Sequence, residues 1–222
     1  PSAFAVPHRI VGFVNYRREF IKHLATTVSF YYEGANLDRI SYIYNGDVNR
    51  DGFNQDLIYV PRDARNPAEI RLAGHTYGTG QNAVTVSAAQ MAELLEQFIE
   101  KVPYLRKNRG NIVSRNGALA PWFHRVDFRF LQDVFTNIGK TKNTLQFSLD
   151  CYNFLNLLSK NWGIRQITTL RNPLEVVSID AQGIPTFRMS AISGRPVTEA
   201  FQNQVSTATT YGIQLGLRYI FN

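Results

Sequence analysis

The chain has 222 residues, 13% of them aromatic and 18% charged, and 24 Lys plus Arg against 17 Asp plus Glu give a net charge of +7. It contains no run of 18 or more apolar residues, so no transmembrane helix is available and any membrane span must be made of strands. One cysteine, Cys151, excludes an internal disulfide and a cysteine-based metal cluster, and the scattered basic residues accompany no nucleic-acid recognition motif. The one dense basic cluster, Arg106-Lys107-Asn108-Arg109, directly follows a predicted helix and reads as a solvated helix end. The sequence opens at Pro1 without a basic n-region, apolar stretch or cleavage site, which fits a processed protein or, the favoured reading, a piece of one.

Taken in order, Arg9 to Arg18 reads as a strand, although Ile10, Val11, Phe13 and Val14 leave its outward face open. A short turn at Phe20 to His23 leads into a second strand over 24–43. Its first part sets Thr26, Val28, Phe30 and Tyr32 against Ala25, Thr27, Ser29, Tyr31 and Glu33. A long connection, about 44–120, follows. It includes Gly74 to Gly80, a glycine-rich stretch that reads as a flexible turn because it lacks the lysine and strand-to-helix context of a phosphate loop. It also includes a capping box, Ser87-Ala-Ala-Gln90, and Met91, Leu94, Leu95, Phe98, Ile99 and Val102 at helical spacing up to Pro103. This amphipathic helix packs either on the rest of the loop or on a partner protein.

Strands three and four are expected at 122–135 and 143–156. Val126, Phe128 and Phe130 alternate with Arg125, Asp127, Arg129 and Leu131, and Leu145, Phe147, Leu149 and Cys151 alternate with Thr144, Gln146, Ser148 and Asp150. The turn between them draws on Asn137, Gly139 and Lys140. In a second long connection, 159–206, Leu174 to Ile179 and Thr186 to Ser190 flank Asp180-Ala-Gln-Gly183 and predict a hairpin. The fifth strand, 207–221, points Tyr211, Ile213, Leu215, Leu217, Tyr219 and Phe221 one way and Gly212, Gln214, Gly216 and Arg218 the other.

Charge opposite pure hydrocarbon, short turns alternating with very long connections, and tyrosines at both ends of the last strand fit a membrane-spanning β-barrel with extracellular loops. A soluble sandwich can show the same alternation in any one strand. On the barrel reading Arg125, Asp127, Arg129, Asp150 and Arg218 line the lumen. Tyr32, Trp122, Tyr211, Tyr219 and Phe221 are then the aromatics at the membrane interfaces. Five antiparallel strands in one open sheet are expected, because the first and last would pair with strands outside these 222 residues.

Asp47 to Asp56 is the one segment with metal-ligand spacing. Asp47, Asn49, Asp51, the Phe53 carbonyl and Asp56 could wrap a calcium ion around the Gly52 turn, although Ile58 stands where an EF-hand needs a bidentate Glu. A plain Asn/Asp/Gly turn is the competing reading. His8, His23, His75 and His124 have no spaced partners, and Asp127, Asp133 and Asp150 sit among arginines as ion pairs rather than catalytic acids. Cys151, in step with Leu145, Phe147 and Leu149, reads as an apolar position, with a reactive thiol as the alternative. No nucleophile–base pair emerges, and no catalytic residue is expected.

Several stretches together resemble one family. They are Tyr42-Ile-Tyr-Asn-Gly-Asp-Val-Asn-Arg-Asp-Gly52, Asp56-Leu-Ile-Tyr-Val-Pro61, Arg115-Asn116, Ala120-Pro-Trp122, Asp127-Phe-Arg-Phe-Leu-Gln-Asp133, Asn143-Thr-Leu-Gln-Phe147, Asn153-Phe-Leu-Asn-Leu-Leu158 and Trp162-Gly163. In this order they resemble the closing part of TonB-dependent outer-membrane receptors of the Oar-like and SusC-like group. The family usually ends on an aromatic, whereas here Asn222 follows Phe221.

The resemblance implies an all-β, 22-stranded transmembrane barrel around a plug, of which this chain would supply about five strands. It implies location in the bacterial outer membrane, contact with outer-membrane lipid, and energy input from the TonB complex through an N-terminal region not in this sequence. The imported ligand would be a scarce small solute, peptide or oligosaccharide, and a surface lipoprotein is a further partner the family allows. Two other classes stay open: a passive porin or adhesin barrel whose loops bind a partner, and a soluble, extracellular, calcium-dependent β-domain.

Overall fold

The structure is a computed structural model that describes residues 2–138, 141–207 and 209–221. Gly139 and Lys140 of the expected turn, Ala208 within the expected fifth strand, and Asn222 lie outside the described residues. The class is all-β with few helices, and no described helix is long and apolar enough to cross a membrane. The chain forms two compact units. A sheet unit comprises Val6–Leu37, Pro121–Gln166 and Asn203–Asn222; a loop unit comprises Pro1–Ala5, Asp38–Ala120 and Ile167–Gln202.

In the sheet unit, β1 (Arg9–Phe20), β2 (Leu24–Ala35), β3 (Phe123–Ile138), β4 (Thr141–Tyr152) and β5 (Gly212–Phe221) pair antiparallel in sequence order. The sheet is open, since β1 and β5 each pair on one side only among the described residues. It does not close into a barrel within this chain. Register decides what alternation left open in β1. Val14 lies opposite Phe30 and Tyr16 opposite Val28, so they join the apolar face, while Val11 and Phe13 lie opposite Glu33 and Tyr31 on the polar one.

Three strand boundaries differ from expectation by four residues or more. The second strand ends at Ala35, not near 43, where Asn36 turns its amide to the His8 carbonyl; Arg39–Ile40 then pairs with Ala118–Leu119 in the loop unit. The fourth ends at Tyr152 because Asn153 adopts a left-handed conformation, φ +51°, and begins the short helix Phe154–Leu158. The fifth starts at Gly212 rather than near 207.

The loop unit has its own core. Helix α1 (Ala88–Lys101) starts with both hydrogen bonds of the Ser87–Gln90 capping box and buries Met91, Leu95, Phe98 and Ile99. Its apolar stripe packs on the rest of the loop unit, edge-on between Phe98 and Tyr42 and against Leu174, Phe187 and Met189. The expected hairpin forms from Leu174–Ile179 and Pro185–Met189 and is extended on both sides, by Tyr44–Asn45 and Arg71–Leu72. Asp180 closes its turn by accepting the amides of Gln182 and Ile184 and pairs with Arg71 at 2.6 Å, which holds its carboxyl below the usual range.

Gly74 to Gly80 is not simply a flexible turn. His75–Tyr77 pairs with Val84–Val86, because Tyr77 is buried and donates its hydroxyl to the Met189 carbonyl at 2.6 Å.

Candidate functional site

The face of the sheet that carries Arg125, Asp127, Arg129, Asp150 and Arg218 is the candidate site, and cross-strand register builds it. Directly opposed residues share a face, so Arg129 meets Asp150, Arg125 meets Glu33, and Arg218 meets Gln146. The ion pair Arg129–Asp150 joins directly opposed residues, and those of Arg125, Arg9 and Arg17 run along a strand or diagonally on the same face. Arg125 binds both oxygens of Asp127, at 2.7 and 2.8 Å, and the same carboxylate accepts the Asn153 amide at 2.8 Å. Arg129 pairs with Asp150, Arg9 with Glu33 at 2.8 Å, and Arg17 with Asp133 at 3.1 Å. The second Asp133 oxygen accepts from Gln146 at 2.8 Å.

Arg218 is the exception. It makes no hydrogen bond or ion pair among the described residues and borders a concavity of about 410 Å³ with Gln146, Ser148, Asp150 and Gln214. Arg218, without a partner among the described residues, shares this space with two amides, a hydroxyl and the Asp150 carboxylate that Arg129 already holds, which leaves capacity for a polar group. Phe13 and Leu131 are apolar intrusions on this side.

The opposite face carries the hydrocarbon. Phe30, Phe128, Cys151 and Ile213 form one cross-strand row, and Val28, Phe130, Leu149 and Leu215 the next. Gln132, Phe147 and Leu217 form a third, in which Gln132 accepts from the Thr26 hydroxyl at 2.6 Å and donates to the Ala25 and Asp133 carbonyls at 3.2 and 3.1 Å. Cys151 is buried in its row, an inert apolar position as its spacing suggests.

Tyr32, Trp122 and Tyr211 lie at the end of the sheet where β3 and β5 begin. Tyr219 and Phe221 lie at the opposite end, with Phe20 of β1. The first group is larger than sequence reasoning found. His8 stacks on Trp122 at 6.3 Å, Trp122 on His124 at 5.9 Å, and His124 on Tyr32 at 6.1 Å, where the Tyr32 hydroxyl and His124 Nδ1 are 2.8 Å apart. The shared parity of residues 122, 124 and 126 was the available signal for His124. Nothing in the spacing marks His8.

In the loop unit, Asp47 to Asp56 folds upon itself. Asp47 accepts the amides of Arg50, Asp51 and Gly52 at 2.6, 3.2 and 2.7 Å, Asp51 accepts Phe53 at 2.8 Å, and Asp56 accepts Val48 at 2.9 Å. Gly52, at φ +91°, makes the turn a side chain would strain. The remaining oxygens of Asp51 and Asp56 both face the Asn49 amide, at 3.0 and 3.1 Å. Asn49, Asp51 and Asp56 therefore meet at one point, while Asp47 is spent on backbone and Phe53 is exposed. Among the described residues, no group of three His, Cys, Asp or Glu is spaced to hold a metal.

No protein-family model, curated protein or solved structure matches this chain.

Proposed function

We propose that this chain is the closing segment of a transmembrane barrel in the bacterial outer membrane, from an energy-coupled receptor of the TonB-dependent type that captures and imports a scarce solute. The single observation that carries the barrel part is the cross-strand register, which gathers hydrocarbon rows on one face and an ion-pair ladder on the other over five long strands. The open edges at β1 and β5 support strands beyond this chain, because a lipid environment does not tolerate unpaired edges. The energy-coupled part rests on the family resemblance. The loop unit, with its own core, has the size and order of a ligand-capturing extracellular structure.

The test uses the full-length protein. In outer-membrane fractions it is expected to migrate as a compact species in detergent that converts to an extended one on boiling, and to bind the purified C-terminal domain of TonB. Compact migration without TonB binding would favour the passive porin or adhesin; a protein soluble without detergent would overturn the membrane reading.

Calcium at Asp47 to Asp56 is part of the same proposal. The meeting of Asp51 and Asp56 across Asn49 supports it; the Asn49 oxygen accepts the Asp51 amide at 2.9 Å, so the two carboxylates and water would supply the ligands. Few protein oxygens and no bidentate Glu set the dissociation constant at about 10⁻⁴–10⁻³ M. Titration calorimetry with calcium chloride is expected to give a heat that Asp51→Ala removes. No heat from the unaltered protein would leave the self-closed turn.

A further inference from the structure

The chain has two tryptophans, and both line one cleft of the sheet unit. Trp122 and Trp162 are 40% and 55% exposed, a large apolar surface to leave in water unless something covers it. The cleft holds about 330 Å³, within the range of small-ligand sites. Its remaining polar lining is His124, Asn161, Gln166 and Asn203, with no Lys, Arg, Asp or Glu.

That lining selects a chemistry. A phosphate, carboxylate or ammonium group would need a counter-charge, and none is present. Amide side chains offer donors and acceptors on one group, which is what a hydroxyl requires, since it too both donates and accepts. Gln166 and Asn203 are held ready, with Nε2 of Gln166 donating to Oδ1 of Asn203 at 3.2 Å. Exposed indole faces receive the C–H side of a saturated ring. A neutral polyhydroxylated ring, a sugar, meets both demands.

Position then selects the source. Trp122 belongs to the stack of His8, Trp122, His124 and Tyr32, and His124 and Tyr32 share the parity of the hydrocarbon face. The cleft is continuous with the face that the proposed function turns to lipid. The short helix Phe154–Leu158 is fastened beside it by Phe154 packing on Phe128 at 5.6 Å.

We propose that this cleft binds a sugar ring in the headgroup of an outer-leaflet glycolipid, with Trp162 as the stacking platform, Trp122, itself stacked between His8 and His124, as the wall beside it, and Asn161, Gln166 and Asn203 as hydroxyl partners. The assignment to a membrane source rests on the barrel reading; the sugar chemistry does not.

The experiment titrates the full-length protein in nonionic detergent with fluorescent lipopolysaccharide and, separately, with its lipid-free core oligosaccharide. Saturable binding of both is expected, tighter for the intact glycolipid. Trp162→Ala and Gln166→Leu are each expected to weaken it at least tenfold, and Trp162→Phe to retain most of it. Trp162 is exposed, so its truncation leaves the fold intact, which unchanged heat-modifiable migration would verify. Equal affinity of Trp162→Ala and the unaltered protein would overturn the site, and equal affinity for free and lipid-linked sugar would overturn the membrane source. Failure of the barrel reading would be recorded separately, as a protein that stays monomeric without detergent whatever the oligosaccharide does.

Discussion

The sheet unit and the loop unit solve opposite solvent problems with one alphabet. In the sheet, Leu215 and Leu217 are 64% and 73% exposed while Asp133 and Asp150 are buried in ion pairs; in the loop unit Tyr42, Met91 and Phe98 are fully enclosed and most charges, Glu96 excepted, lie outside. A period of two sorts the sheet and a period of 3.6 sorts α1, and either one fixes only which residues share a face. What each face meets is decided by what surrounds it. The loop unit supplies its own surroundings through α1 and the hairpin Leu174–Met189, whereas the sheet leaves its hydrocarbon face uncovered among the described residues, the face that the proposed barrel would turn to lipid.

The largest expected break in this contrast comes from the enclosed side. Phe98→Ala should destabilise the loop unit by about 3–5 kcal/mol, because it empties the space against Tyr42 and the helix cannot collapse to fill it. Hydrogen exchange is the measurement. Amides of residues 91–101 should lose protection while those of β3 and β4 keep theirs, and an equal loss in both would mean that the two units do not fold separately.

On the exposed side, Leu217→Arg should cost about 2–4 kcal/mol in lipid vesicles, the cost of an arginine at mid-membrane depth. Ser148→Arg, a neighbour in β4 with the opposite parity, should cost far less because it joins Arg129 and Asp150. Denaturant titration of the reconstituted protein reads the difference, and equal costs would place both faces in the same medium.

A third measurement sharpens the enclosed side through pH. Burial pushes the Tyr44 phenol up to about 12 from 10. Below pH 10 the phenol is neutral in both folded and unfolded chains, so its contribution is fully present. Between pH 10 and about 12 only the unfolded chain ionises, and the loop unit loses about 2–3 kcal/mol. Tyr44→Phe should remove that part of the pH dependence, at a fixed loss for the hydrogen bond its hydroxyl accepts from the Tyr59 amide.

How much of this was legible depended on whether a feature is local. The alternation of β2 to β5, the Ser87 capping box and the hairpin around Asp180 are each written within a dozen residues, and each formed. The side taken by Val11, Phe13 and Val14 was not legible, because three large apolar residues in four positions fit either face until β2 supplies a register. The ion pair of Arg17 with Asp133 joins strand residues 116 positions apart, and the buried Glu96, which binds Arg109 at 2.6 Å and the Ala64 amide at 2.6 Å, looked like one more solvated charge on a helix. The His8 and Trp162 contributions to the aromatic end were hidden for the same reason.

The smallest expected effect lies in the turn between β1 and β2, the three-residue connection Ile21-Lys22-His23, whose first two residues have side chains that its backbone does not favour. Ile21 and Lys22 both take left-handed conformations, with φ of +50° and +52°. Left-handed positions in a tight turn are taken by Gly without steric cost and by Asn at little. A β-branched residue there brings Cβ against the following carbonyl at about 1–2 kcal/mol. The Ile21 side chain is 83% exposed, so replacing it removes little packing. Ile21→Asn should therefore stabilise the β1–β2 hairpin by about 1 kcal/mol, and the added change Lys22→Gly somewhat less, since glycine also gives the unfolded chain more freedom. Denaturation of the reconstituted protein measures it. A loss of stability confined to lipid vesicles, and absent in detergent, would mean that Ile21 reaches hydrocarbon, and would extend the apolar side of the sheet to the turn itself.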